Sequence, residues 1–124
     1  MGARLILIVE AEAAVRQSLV DVLSLEGHEV DGASDAEMVL LLLEQRRYDL
    51  VVADLRMADL HGPKLLAALQ ERAGADPLPR LVFMTHLTFD PEYGGFLADL
   101  RVPVITKPLR PGRVLELVGR LLET

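Results

Sequence analysis

The 124-residue chain has no cysteine, which excludes disulfides and thiolate metal ligands and fits a reducing cytoplasm. It has no apolar run of membrane-spanning length; the longest, Met38 to Leu43, is six residues. No charged n-region with an apolar stretch opens the sequence, so no secretion and no membrane association are expected. Nor is there a surplus of positive charge. The formal charge is -6, which disfavours nucleic acid as a direct partner. We find no internal repeat, linker or low-complexity tract, so residues 1–124 read as one domain with no output domain attached.

Apolar residues make up 51% of the chain and charged residues 26%, the balance of a globular domain. The charge is uneven. From Arg101 onward five basic residues (Arg101, Lys107, Arg110, Arg113, Arg120) face two acidic ones (Glu116, Glu123), leaving -9 on residues 1–100. The basic end reads either as a solvated face or as a docking face on the last helix.

The stretch Leu50-Val51-Val52-Ala53-Asp54 organises the rest. An apolar run this short reads as a strand buried on both faces, ending at a carboxylate. Leu5 to Val9 is a second such run. Ala13 to Glu26 has helical period, with Val15, Leu19, Val22 and Leu23 on one face, and Gly27 stops it. Glu29 to Ala33 is short and weakly alternating, as an edge strand would be. Ser34-Asp35-Ala36-Glu37 reads as a capping box for a second helix running to about Gln45. Met38 and Leu41 would share its outer face, either through slack packing or as a contact patch.

Pro63 opens a third helix that buries Leu65, Leu66 and Leu69. Arg80 to Thr85 is a fourth strand. Asp90-Pro91-Glu92 predicts a helix start, and Gly94-Gly95 predicts that this helix is short or mobile. Val102 to Thr106 reads as the last strand. Pro111 opens the last helix, with Val114, Leu115, Val118, Leu121 and Leu122 buried. Strands alternating with helices predict an α/β fold with a doubly wound parallel sheet.

In such a sheet the strand ends share one rim. Glu10 and Glu12 follow the first strand, Asp54 ends the third, Thr85 ends the fourth, and Lys107 and Pro108 follow the fifth. This set suits phosphoryl transfer to Asp54. A carboxylate oxygen can form an acyl phosphate, Lys107 can hold a phosphoryl oxygen as a point charge, and the Thr85 hydroxyl can bond another. A divalent metal would neutralise the remaining charge.

At these residues the sequence resembles the receiver domain of bacterial two-component response regulators, over essentially its whole length. The motifs are Ile8-Val9-Glu10, Gly27-His28-Glu29-Val30, Ala33-Ser34-Asp35, Tyr48-Asp49-Leu50-Val51, Asp54-Leu55-Arg56-Met57, Gly62, Thr85 and Thr106-Lys107-Pro108. The resemblance implies a flavodoxin-like, five-stranded sheet in order 2-1-3-4-5. It implies transfer of a phosphoryl group from the histidine of a sensor kinase, or from a phosphotransfer protein, to Asp54 with Mg2+. The metal ligands would be Glu10, Asp54 and the backbone carbonyl of Arg56, and the Lys107–Pro108 peptide would be cis. The family's usual partner surface, helix four to helix five, would be the place for a homodimer. The segments around Phe83-Met84-Thr85, Phe96-Leu97 and Pro103 to Pro108 are similar to receivers at the C-terminus of hybrid sensor histidine kinases.

The sequence departs from the family at two positions. Where the family has a second acid after the first strand, this chain has Ala11. That acid normally supplies the direct metal-binding carboxylate, and Glu12 next to it is expected to point elsewhere. Where the family often has Tyr or Phe as a rotameric lever, this chain has Val104. His86 is bulkier than the residue common after the threonine. The leading expectation is a phosphoacceptor receiver in a two-component phosphorelay with a weakened Mg2+ site. It is a signalling module whose only catalysis is its own aspartyl phosphorylation and dephosphorylation. The alternative is a pseudo-receiver that binds partners without phosphorylation. An aspartyl-nucleophile phosphatase is disfavoured because that class wants a second Asp where Arg56 stands.

Overall fold

Apolar strands and amphipathic helices in alternation can all be buried in one way, as a sheet with helices on both faces. The computed structural model, which describes residues 4–87 and 89–123, has this form. Its strands are β1 (Leu5–Val9), β2 (Glu29–Ala33), β3 (Leu50–Asp54), β4 (Arg80–Thr85) and β5 (Val104–Thr106). Its helices are α1 (Ala13–Leu25), α2 (Ala36–Gln45), α3 (Gly62–Ala73), α4 (Gly94–Leu100) and α5 (Pro111–Glu123). The strands are all parallel, in the order β2-β1-β3-β4-β5 that the resemblance implied. No helix among the described residues is long and apolar enough to cross a membrane.

Strand alternation divides the core in two. Leu7, Val9, Val51, Ala53, Leu81 and Phe83 face α2, α3 and α4, meeting Val39, Leu65 and Leu69. Ile6, Ile8, Leu50, Val52, Val82 and Met84 face α1 and α5, meeting Leu19, Leu23, Val114, Val118 and Leu122. Leu115 and Leu121, expected in the core, are only half-buried. Met38 and Leu41 are exposed on the outer face of α2, as their spacing indicated.

Three element starts differ from the expectation. The cap of α2 is Asp35, not Ser34; its Oδ1 accepts from the Met38 N–H at 2.9 Å. The start moves on by one residue because Asp59, from the loop after β3, accepts the Ala36 N–H at 3.0 Å. β5 begins at Val104 rather than Val102, since Pro103 has no N–H to give a ladder. α4 begins at Gly94 and is seven residues long, with a turn over residues 91–93 preceding it.

Gly62 fixes how closely α3 approaches the sheet. A Cβ there would lie 2.7 Å from Leu55 Cδ1 and 3.0 Å from Phe96 Cε2. Leu55 is fully buried and cannot yield, so the start of α3 can sit against β3 and α4 only with a hydrogen at this position.

Candidate functional site

The strand order reverses between β1 and β3, and in an open parallel sheet a crevice opens there, beyond the strand ends. The register decides what lines it. Val9 pairs with Ala53, which sets Glu10 level with Asp54. Asp54 pairs with Met84, and Thr85 with Thr106, so Thr85 and Lys107 each stand one step further along the rim. The Lys107 N–H donates to the Thr85 carbonyl at 2.7 Å, and the Lys107–Pro108 peptide is cis.

Lys107 joins the rim together. Its Nζ donates to Glu10 Oε1 and lies 3.6 Å from Asp54 Oδ2. The side chains of Lys107 and Glu10 are 6% and 2% exposed, whereas that of Asp54 is 20% exposed and open to an incoming group. The other Glu10 oxygen accepts from the Glu12 N–H at 3.0 Å. Asp54 Oδ1 accepts from the Arg56 N–H at 3.2 Å. The Thr85 hydroxyl oxygen accepts from the Leu87 N–H at 3.2 Å, and the residue is buried. The structure therefore brings Glu10, Asp54 and Lys107 into direct contact and sets Thr85 on the neighbouring strand. Ala11 and Glu12 are exposed, with Glu12 at the start of α1. Val104 is 39% exposed on the edge strand. His86 is exposed and lines an apolar cavity of about 380 Å³ between α1 and the β5–α5 connection.

Further contacts at the rim were not read from the sequence. Arg16, on α1, donates from Nη1 to the Glu10 carbonyl at 2.8 Å and the Ala11 carbonyl at 3.3 Å, fixing the loop after β1. Asp90, read as a helix start, is buried and receives Arg56 Nε at 2.8 Å and Nη2 at 3.2 Å. The Arg56 bond, backed by the Tyr93 and Glu92 N–H groups, holds the Asp90 carboxyl below the ordinary carboxylate range despite its burial. The Arg56 guanidinium also lies 5.3 Å from the centre of the Tyr93 ring. Arg56 and Asp90 stand 34 positions apart, and no local pattern announces their pairing.

A sequence model described as the response regulator receiver domain matches residues 6–119. The chain belongs to this family. This receiver domain is 30% identical over 115 residues to Response regulator protein FleR of Pseudomonas aeruginosa, covering 93% of this chain and 24% of FleR. It is 28% identical over 124 residues to Sensor kinase CckA of Brucella abortus, covering 98% of this chain and 13% of CckA. A solved structure of response regulator protein TrrA from Thermotoga maritima, in complex with Mg2+ and BeF, shares the fold. Its TM-score is 0.76 at 24% identity, over 95% of this chain and 98% of that one. The receiver domain thus spans a quarter or less of the length of FleR and CckA. Receiver domains are signalling modules of two-component systems, not enzymes acting on a separate substrate.

The TrrA structure is a complex with Mg2+ and BeF. Magnesium keeps several waters and is commonly held by one or two carboxylates. Glu10 and Asp54 are the two carboxylates that meet Lys107 at this rim. Among the described residues no group of three His, Asp or Glu side chains could hold a metal ion. One oxygen of Glu10 is already taken by Lys107 and the other by Glu12.

Proposed function

We propose that this receiver domain, over residues 1–124, accepts a phosphoryl group on Asp54 from a sensor histidine kinase or a phosphotransfer protein. The observation that carries the reading is the placement of Lys107 Nζ between Glu10 and Asp54, 3.6 Å from Asp54 Oδ2. An oxygen of Asp54 attacks phosphorus and forms the O–P bond of an acyl phosphate. The P–N bond to the donor histidine breaks, and the ring nitrogen keeps the electron pair. Lys107, fixed by the buried Glu10, stands where charge gathers on a phosphoryl oxygen. The Thr85 hydroxyl turns to donate to another. Glu10, Asp54 and the Arg56 carbonyl are the groups that would hold Mg2+. When bound, Mg2+ supplies further neutralisation of the phosphoryl charge. With methyl in place of carboxylate at Ala11, that affinity is low.

The chemistry is confined to the domain's own phosphorylation and dephosphorylation, in the cytoplasm, with no direct nucleic-acid contact. A homodimer through α4 to α5 belongs to the same reading, and a monomer by light scattering at high concentration removes it. The second reading, an interaction module that is never phosphorylated, is favoured by Ala11 and Val104 and opposed by Asp54, Thr85 and Lys107. The two separate in one experiment. Acetyl phosphate with Mg2+ is expected to add one phosphoryl mass to the wild type and none to Asp54→Asn. No adduct at high Mg2+, with kinase binding retained, decides for the interaction module.

A further inference from the structure

Of all the helices, α4 is held most lightly. It has seven residues, none of them buried, and begins with Gly94-Gly95. Phe96, Leu97 and Leu100 rest half-buried on the core. What fixes its start is Asp90. The Asp90 carbonyl accepts the Gly94 N–H at 2.8 Å. Its Oδ1 accepts the Glu92 and Tyr93 N–H groups at 2.9 and 2.8 Å. The Asp90 side chain is 1% exposed, and the Arg56 guanidinium is the cation bonded to it there.

The two partners differ in exposure. Asp90 is enclosed, while the Arg56 side chain is 42% exposed and borders solvent. Arg56 also belongs to the reacting site, for its backbone N–H donates to Asp54 Oδ1. A phosphoryl group on Asp54 carries about two negative charges near neutral pH, against one on Asp90. Its oxygens suit the planar, forked guanidinium at least as well as a carboxylate does. If the guanidinium turns to the phosphoryl group, Asp90 is left as a buried charge with no cation, a state that a protein interior opposes strongly. The segment before α4 relieves it by opening to water, and the Tyr93 ring loses the cation beside it.

We propose that Arg56 is a positioning residue that acts as a latch. It closes on Asp90 while Asp54 is a bare carboxylate, and it releases Asp90 and the start of α4 when Asp54 is phosphorylated. The proposal rests on Asp54 as phosphoacceptor. It supplies a route from the site to α4 that needs no aromatic lever at Val104.

Tyr48 and Tyr93 are the only tyrosines, and they make the test direct. Tyr48 bonds Asp31 of β2 at the opposite end of the sheet, so it serves as the internal reference. Protein carrying 3-fluorotyrosine is treated with acetyl phosphate and Mg2+, and the adduct is counted by mass. The 19F resonance of Tyr93 is expected to shift in proportion to adduct while that of Tyr48 stays. In Asp90→Asn the latch is already open, so the Tyr93 resonance is expected at a displaced position without donor. In Arg56→Gln it is expected displaced and unmoved by donor. An adduct with Tyr93 unmoved overturns the latch and leaves the phosphoacceptor reading intact. An undisplaced Tyr93 resonance in both variants overturns it equally. No adduct in the wild type removes the phosphoacceptor reading and the latch together.

Discussion

Ala11→Asp is expected to bind Mg2+ about ten to a hundred times more tightly than the wild type and to form the acyl phosphate faster, the scale by which supporting metal-site groups act. The backbone at Ala11 is already fixed. Arg16 holds the carbonyls of residues 10 and 11, and the Glu12 N–H is tied to Glu10. A carboxylate added at 11 therefore enters a preformed loop beside Glu10 and Asp54. It also has no ammonium to satisfy first, whereas Glu10 shares its charge with Lys107. Titration calorimetry with Mg2+ gives the affinity, and mass-resolved kinetics with acetyl phosphate give the rate. Ala11→Asn, which adds an oxygen but no charge, is the control. If neither affinity nor rate changes in Ala11→Asp, the missing carboxylate is not what limits this site.

Lys107→Ala is expected to cost about 3–5 kcal/mol of folding stability and to abolish the adduct. Glu10 and Lys107 lie within the fold at 2% and 6% side-chain exposure. Removing the ammonium leaves a buried carboxylate without its cation. The double variant Glu10→Gln/Lys107→Met removes both charges, and it is expected to recover most of that stability while still failing to take up phosphate. Urea unfolding of the two proteins separates the structural role of Lys107 from its chemical one. A loss below about 1 kcal/mol for the single variant, the range of a solvent-exposed pair, would show that Glu10 does not depend on Lys107.

The inner strands were legible because they are short apolar runs, as at Leu5 to Val9 and Leu50 to Ala53. The rim followed from them, since a parallel sheet places Glu10, Asp54, Thr85 and Lys107 on one edge whatever the loops do. Element starts were less legible where a distant partner intervened. Ser34 lost the cap of α2 to Asp35 because Asp59 reaches in from another loop. Asp90 read as the first residue of a helix, and it does bond the N–H groups ahead of α4, yet its partner Arg56 lies 34 positions away. Leu115 and Leu121 carry the right period but fall on the flank of α5, where the stripe is wider than the sheet can cover.

The contact between Glu10 and Lys107 spans 97 positions of sequence, and Lys107 comes just after β5, a three-residue strand at the outer edge of the sheet. During synthesis Asp54 leaves the ribosome well before Lys107 exists to sit beside it. A nascent chain therefore carries the acceptor carboxylate without the ammonium that neutralises it. It gains a working site only when the last strand has docked. Chemical competence in this domain thus reports that the sheet is complete.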